Sequence, residues 1–132
     1  MLTAERYKMD ITLLCLIFML FTHWIADFVI QDDEIVKGTA SISYIVEHCA
    51  KYTVVFPAGA WLVWFAMMNA SFESWAWFSI INIITHAIID CFTIPLASGY
   101  FKHHDSKDGS ISLAFDQFLH SAVIVTSFTL CV

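Results

Sequence analysis

Three polar residues recur at every fourth position within and directly after the first long apolar stretch of the chain, which covers residues 11–30. The spacing His23-x-x-x-Asp27-x-x-x-Gln31 places their side chains on one face of an α-helix, one turn above another. The stretch is long enough to cross a bilayer. Ionisable side chains at that depth are costly and usually face a bundle interior or a functional site. The pattern therefore predicts a membrane-spanning helix with one polar stripe.

The same spacing of acids and histidines returns in two later apolar stretches, and one more histidine lies in the remaining stretch. These motifs are His86-x-x-x-Asp90, Asp116-Gln117-x-x-His120 and the single His48. Together the apolar stretches predict four spanning helices, at about 10–31, 44–68, 75–98 and 112–131. Short connections between spans favour an all-α fold, a membrane-embedded antiparallel four-helix bundle. It is expected to form a single transmembrane domain over residues 1–132.

The polar residues are all predicted to lie at one end of this bundle. Those of the first and third spans come late in their helices, and those of the second and fourth come early. Because consecutive spans run in opposite directions, all of them fall in the same leaflet, beside the loops at 32–43 and 99–111. The opposite half is predicted to be almost purely apolar. The loops on the polar side carry more lysines than the other side carries basic residues, which favours a cytoplasmic site.

The composition excludes an ordinary soluble domain. Of the 132 residues, 59% are hydrophobic and only 14% are charged, and the mean hydropathy is +0.72, whereas soluble domains carry about a quarter charged residues. No basic patch indicates binding to nucleic acid. The cysteines are scattered without a C-x-x-C pair, so they are expected to be small packing residues rather than disulfides or thiolate ligands.

The acids in the apolar stretches create a charge problem that a metal ion would solve. Asp27, Asp90 and Asp116 would place three negative charges in a medium of low dielectric constant, at prohibitive cost. They could be protonated or paired with cations, but the nearest lysine, Lys51, has Glu47 as a ready helical partner. A divalent metal is the third solution, with one or two ions of Zn, Mn or non-haem Fe. The candidate ligands are His23, Asp27, His48, His86, Asp90, Asp116 and His120.

The individual motifs also have simpler interpretations. His48 alone is typical of a hydrogen-bonded packing residue, and His23 with Asp27 could be an ordinary helical pair. Gln31 and Gln117 are expected to support the ligands or to face headgroups, so they are candidates for substrate binding. Lys37 could bind an anionic substrate or be a solvated loop lysine.

The motifs, taken in order, resemble the small bacterial and bacteriophage membrane proteins grouped as domain of unknown function 3307. The resemblance rests on His23-x-x-x-Asp27-Phe28-x-x-Gln31, Lys37, His48, His86-x-x-x-Asp90 and Asp116-Gln117-x-x-His120, and it covers nearly the whole chain. It implies a location in the bacterial inner membrane but no settled activity. The chain is also loosely similar to predicted membrane-bound metal-dependent hydrolases, which place His and Asp on apolar helices.

These observations favour a metal-dependent hydrolase that acts on a lipid or a lipid-linked ester or phosphoester. Asp27, His48, Asp90 and Asp116 are the candidate catalytic acid–base residues, and which one is the general base stays open. The alternatives are a metal or proton transporter, a b-type haem protein and a non-enzymatic interaction protein, for example one that blocks a host membrane process, with a structural metal. Formation of a homo-oligomer is also left open.

Overall fold

Helices account for almost all of the described chain. The computed structural model describes residues 2–29, 41–68, 71–101 and 106–132. Helix α1 spans Leu2–Trp24 and continues as a π-helical turn, Ile25–Val29; α2 spans Ile42–Val63 and continues as a second π-helical turn, Trp64–Met68; α3 spans Phe72–Phe101 and α4 spans Ser106–Cys131. These residues contain no strand, which confirms the predicted all-α fold.

The four helices form a closed ring. Each packs against the next along the chain, and α4 also contacts α1. Helices α1 and α2 come very close at Gly59, where an added Cβ would collide with Thr22 Cγ2. Small residues allow such close approach in membrane bundles. On the other side of α2, Trp75 Nε1 of α3 donates a 3.1 Å hydrogen bond to the carbonyl oxygen of Pro57, which links the two helices.

Each helix is long and apolar enough to cross a membrane. The four stretches are Glu5–Phe28, Ile42–Met68, Phe72–Ile94 and Leu113–Cys131. Their outward faces expose large apolar side chains such as Val54, Phe65 and Phe118. A soluble protein rarely exposes so continuous an apolar surface, whereas a lipid-facing surface needs one. The length and the outward-facing apolar surface of the helices therefore indicate that the bundle is embedded in a membrane.

The bundle interior is divided into an apolar core and a polar cluster. The rings of Trp64, Phe78 and Phe128 fill the apolar part, with centroids 5.1 to 6.3 Å apart. This part is not purely apolar, because Asn82 Nδ2 donates a 2.8 Å hydrogen bond to Ser127 Oγ between α3 and α4. All four cysteines are free, as the scattered spacing predicts.

The helices extend further than the apolar stretches predict. Helix α1 begins at Leu2 rather than near residue 10, and α3 continues to Phe101, into the segment predicted as a loop. Helix α4 begins at Ser106 instead of near residue 112. Hydropathy marks only the part of a helix that lies in hydrocarbon, whereas backbone hydrogen bonding continues wherever the residues tolerate a helix. Pro95 does not end α3, since membrane helices tolerate proline.

A candidate metal centre

The π-helical turn at the end of α1 carries the first buried aspartate of the site. Asp27 is 5% exposed, and its two oxygens face different partners. Its Oδ1 lies 2.9 Å from His48 Nε2 of α2, and its Oδ2 accepts a 2.6 Å hydrogen bond from Gln117 Nε2 of α4. π-Helical turns are frequent at functional sites because the wider turn changes where side chains point. Here the turn places one carboxylate between α2 and α4.

Asp90 of α3 has a similar two-sided arrangement. It is 2% exposed, and its Oδ2 lies 3.1 Å from His86 Nε2 and 3.3 Å from His48 Nε2. Its Oδ1 lies 3.1 Å from His120 Nε2 of α4. His86 and Asp90 are four residues apart on one helix, which brings both side chains to the same face. One carboxylate therefore contacts histidines from three helices.

The third aspartate lies at the more open edge of the site. The side chain of Asp116 is 15% exposed, and its Oδ1 lies 3.5 Å from His120 Nε2. Thr93 Oγ1 donates a 2.6 Å hydrogen bond to the same oxygen. Gln117 Nε2 donates to Asp116 Oδ2 at 3.0 Å, in addition to its bond to Asp27. Gln117 thus holds two carboxylates in place.

His23 lies at the opposite edge, where it is oriented by a tyrosine. Its Nδ1 is 3.1 Å from Tyr52 Oη, and its Nε2 is 3.8 Å from Asp27 Oδ2. That Nε2 is buried and has no hydrogen-bond partner. The Tyr52 ring also stacks on His86, with centroids 3.5 Å apart and planes 6° from parallel. Tyr52 therefore contacts two of the site's histidines and limits the movement of both.

The histidine hydrogen bonds leave the cluster short of positive charge. His86 Nδ1 lies 3.3 Å from His120 Nδ1, so one ring must donate to the other. A neutral imidazole carries a single N–H, and the donating ring therefore has a bare lone pair on Nε2. Both Nε2 atoms lie 3.1 Å from an oxygen of Asp90. A lone pair facing a carboxylate is repulsive, so an additional proton or a metal ion is needed there.

The described side chains form three groups that could each hold a metal ion. Within each group, one ligand atom per residue lies within 4.8 Å of the others. The groups are Asp27, His48 and His86; Cys49, His86 and Asp90; and Asp27, Asp116 and His120. They share residues, so they form one continuous cluster.

The distances within the cluster are close to those between ligands of one ion. Ligands about 2.0–2.3 Å from a tetrahedral metal lie about 3.3–3.8 Å from each other. His48 Nε2 and His86 Nε2 lie 3.3 and 3.1 Å from Asp90 Oδ2, and 2.9 and 3.9 Å from Asp27 Oδ1. His86 is 1% exposed, and its Nε2 has no hydrogen-bond partner. The donor set and its orphaned nitrogen therefore fit a metal ion.

The structure brings most of the residues singled out from the sequence to one place. The members of the three groups lie in the predicted spans, whereas His23 lies beside the groups rather than in them. Gln117 binds carboxylates, and its predicted role in substrate binding stays a prediction. Gln31 and Lys37 lie outside the described residues.

Three contributors to the site do not stand out in the sequence. Tyr52, Thr93 and Cys49 each contact a proposed ligand. Helical spacing does contain a signal for the first two, because Tyr52 follows His48 by four residues and Thr93 follows Asp90 by three. Cys49 has no such signal, since it directly follows His48 and adjacent residues on a helix point in different directions.

Comparison with known protein families identifies the family of the chain. The family described as "Protein of unknown function (DUF3307)" matches residues 15–132, and the chain belongs to that family. No curated protein and no solved structure matches the chain.

Proposed function

We propose that this DUF3307 family member is a membrane-embedded metal-dependent hydrolase that cleaves an ester or phosphoester bond in a lipid or lipid-linked substrate. The main support for the proposal is that Asp27 and Asp90 each present their two carboxylate oxygens to different helices. One oxygen of each carboxylate faces His48, while the other faces a residue of α4. Carboxylates that present their two oxygens to different ligand groups are suited to bridge a pair of ions.

The two ions would have separate sets of ligands. His48 and His86 would complete the first set with the facing oxygens of the two bridging aspartates. Asp116 and His120 would complete the second. Nitrogen and carboxylate oxygen donors suit Zn, Mn and non-haem Fe. A bound ion of this kind lowers the pKa of water and polarises the bond to be cleaved.

The chain's own residues have distinct tasks in this proposal. Asp27, His48, Asp90 and Asp116 are the candidate acid–base groups, because each lies at the ligand cluster. Gln117 keeps Asp27 and Asp116 correctly separated through its two hydrogen bonds. The half-buried edge formed by Asp116 and Gln117 is the side from which a substrate would approach.

The position of the cluster favours a lipid substrate. The ligands lie within helical stretches apolar enough to cross a membrane, so a substrate that reaches them must partition into the bilayer or be anchored in it. An anionic headgroup could be bound by Lys37, a role proposed from the sequence alone. We place the protein in the bacterial inner membrane with its site on the cytoplasmic side, as the distribution of lysines favours.

The function is tested with purified protein in detergent or reconstituted vesicles. Metal-loaded wild type and Asp90→Asn are incubated with bacterial lipid extract, and products are followed by mass spectrometry. The wild type is expected to release a product that Asp90→Asn does not, whereas Asp10→Asn, the same change at an exposed position of α1, keeps activity. A fully loaded wild type that converts nothing in a broad panel of lipids and lipid-linked nucleotides would contradict the enzyme and favour a protein that acts by interaction.

Metal or proton transport is a second candidate function, because buried polar groups continue beyond the metal centre. Asn82 lies one helical turn from His86, and it bonds to Ser127. Ser79 Oγ is buried nearby on α3 without a hydrogen-bond partner. A flux of protons or zinc into dye-loaded vesicles, lost in Asn82→Leu, would favour transport over hydrolysis.

A further inference from the structure

One cysteine lies against the ligand cluster. Cys49 Sγ is 3.8 Å from Asp90 Oδ2, and the donor atoms of Cys49, His86 and Asp90 all lie within 4.8 Å of one another. An ideal sulfur–oxygen separation around a tetrahedral ion is about 3.6 Å. The distance is therefore close to what ligation needs, although it also fits a weak hydrogen bond from the thiol to the carboxylate.

A buried nitrogen without a hydrogen-bond partner lies near the same oxygen of Asp90. His86 is 1% exposed, and its Nε2 has no hydrogen-bond partner although it lies 3.1 Å from Asp90 Oδ2. The stacked Tyr52 ring and the contact with His120 hold the imidazole in this orientation. A thiol hydrogen bond to Asp90 satisfies the sulfur and leaves His86 Nε2 unsatisfied. A metal ion between the three residues satisfies all of them.

Charge balance is compatible with the same arrangement. Three carboxylates with two divalent ions leave one positive charge in excess. If Cys49 is a thiolate, the three carboxylates and the sulfur carry four negative charges, which two divalent ions neutralise. A neutral cluster is the least costly one in a medium of low dielectric constant.

We infer that Cys49 is a thiolate ligand of the ion held by His86 and Asp90, where it joins His48 and Asp27 as a fifth protein ligand, and that the centre is consequently selective for zinc or iron over manganese. The inference rests on the metal centre of the proposed function. Binding breaks the S–H bond, forms a metal–sulfur bond and releases the thiol proton to solvent. Thiolate ligands favour Zn and Fe, whereas Mn prefers oxygen ligands.

The ligand is tested in the intact protein by spectroscopy. X-ray absorption of zinc-loaded wild type is expected to show a sulfur scatterer at about 2.3 Å beside nitrogen and oxygen at about 2.0–2.1 Å. Cobalt-loaded wild type is expected to show a thiolate-to-metal charge-transfer band that Cys49→Ser lacks. Cys131→Ser is the matched control, since Cys131 is also half-buried but packs against the apolar core.

The possible outcomes separate the two proposals. Loss of the band and at least a tenfold loss of zinc affinity in Cys49→Ser, with neither change in Cys131→Ser, would support the ligand, because even outer-shell losses cost about 10–100-fold. Zinc bound by wild type through nitrogen and oxygen alone would overturn the assignment of Cys49 and leave the metal centre intact. If wild type binds neither zinc nor cobalt, the centre itself is refuted.

Discussion

Replacing Asp116 with asparagine is expected to remove one of the two bound ions and to spare the other. Asp116 belongs to a single ligand group, together with Asp27 and His120. Asp90, in contrast, has one oxygen near His120 and the other near His86 and His48. Asp90→Asn should therefore weaken both ions, and the two variants should differ in stoichiometry as well as in affinity.

The size of the effect follows from the contacts of Asp116. Losing an outer-shell partner costs about 10–100-fold in metal affinity, so losing a direct, charged ligand should cost at least about 100-fold, or about 2.7 kcal/mol. The fold should tolerate the change, because the side chain is 15% exposed. Thr93 can still donate to the asparagine oxygen that replaces Oδ1, and only the hydrogen bond from Gln117 to Oδ2 is lost.

The assay is elemental analysis after equilibrium dialysis against buffers of fixed free zinc. At a concentration that saturates wild type with two ions, Asp116→Asn should hold one, and Asp10→Asn should match wild type. Elution volume and helical circular dichroism verify folding. An Asp116→Asn protein that retains both ions, or that loses both while folded, would refute the division of the cluster into two ligand sets.

Three further changes test how the helices support the centre. Gly59→Ala should destabilise the bundle by about 1–3 kcal/mol through overpacking against Thr22, and adding Thr22→Ser, which removes the clashing methyl, should restore the melting temperature in detergent. Gln117→Leu should lower zinc affinity about 10–100-fold, measured by competition with a chelator, because two carboxylates lose their shared donor; unchanged affinity would exclude that role. Asn82→Ala should cost about 0.6–1.7 kcal/mol by loss of its bond to Ser127, with zinc affinity unaffected, and a large loss of affinity would contradict the separation of core and centre.

The sequence predicts the helices and the polar cluster well because lipid makes both signals unusually clear. An apolar stretch of sufficient length has few alternatives to a spanning helix, since every backbone polar group must be satisfied internally. Acids and histidines in such stretches, as at Asp27 and His86, are too costly to face lipid. Their convergence follows from helical spacing and alternating helix directions.

Other features depend on information that a single sequence lacks. The helix ends were predicted too short because hydropathy does not follow a helix beyond the hydrocarbon, as at Leu2 and Phe101. Cys49 looks like an ordinary packing residue until the rotation of α2 is known. The two-sided contacts of Asp27 depend on the π-helical turn, whose position the apolar pattern does not reveal.

The placement of the ligands on every helix has a consequence for how the protein is made. Asp27 comes from α1, His48 from α2, Asp90 from α3, and His120 from α4. When only the first three helices have been inserted into the bilayer, Asp27 and Asp90 still lack their partners on α4. An acid opposes insertion by about 2.5–3.5 kcal/mol at the centre of a spanning helix and by less towards its ends, where Asp27 and Asp90 lie. The arrival of α4 thus supplies Gln117 to Asp27 and His120 to Asp90, and it completes the network.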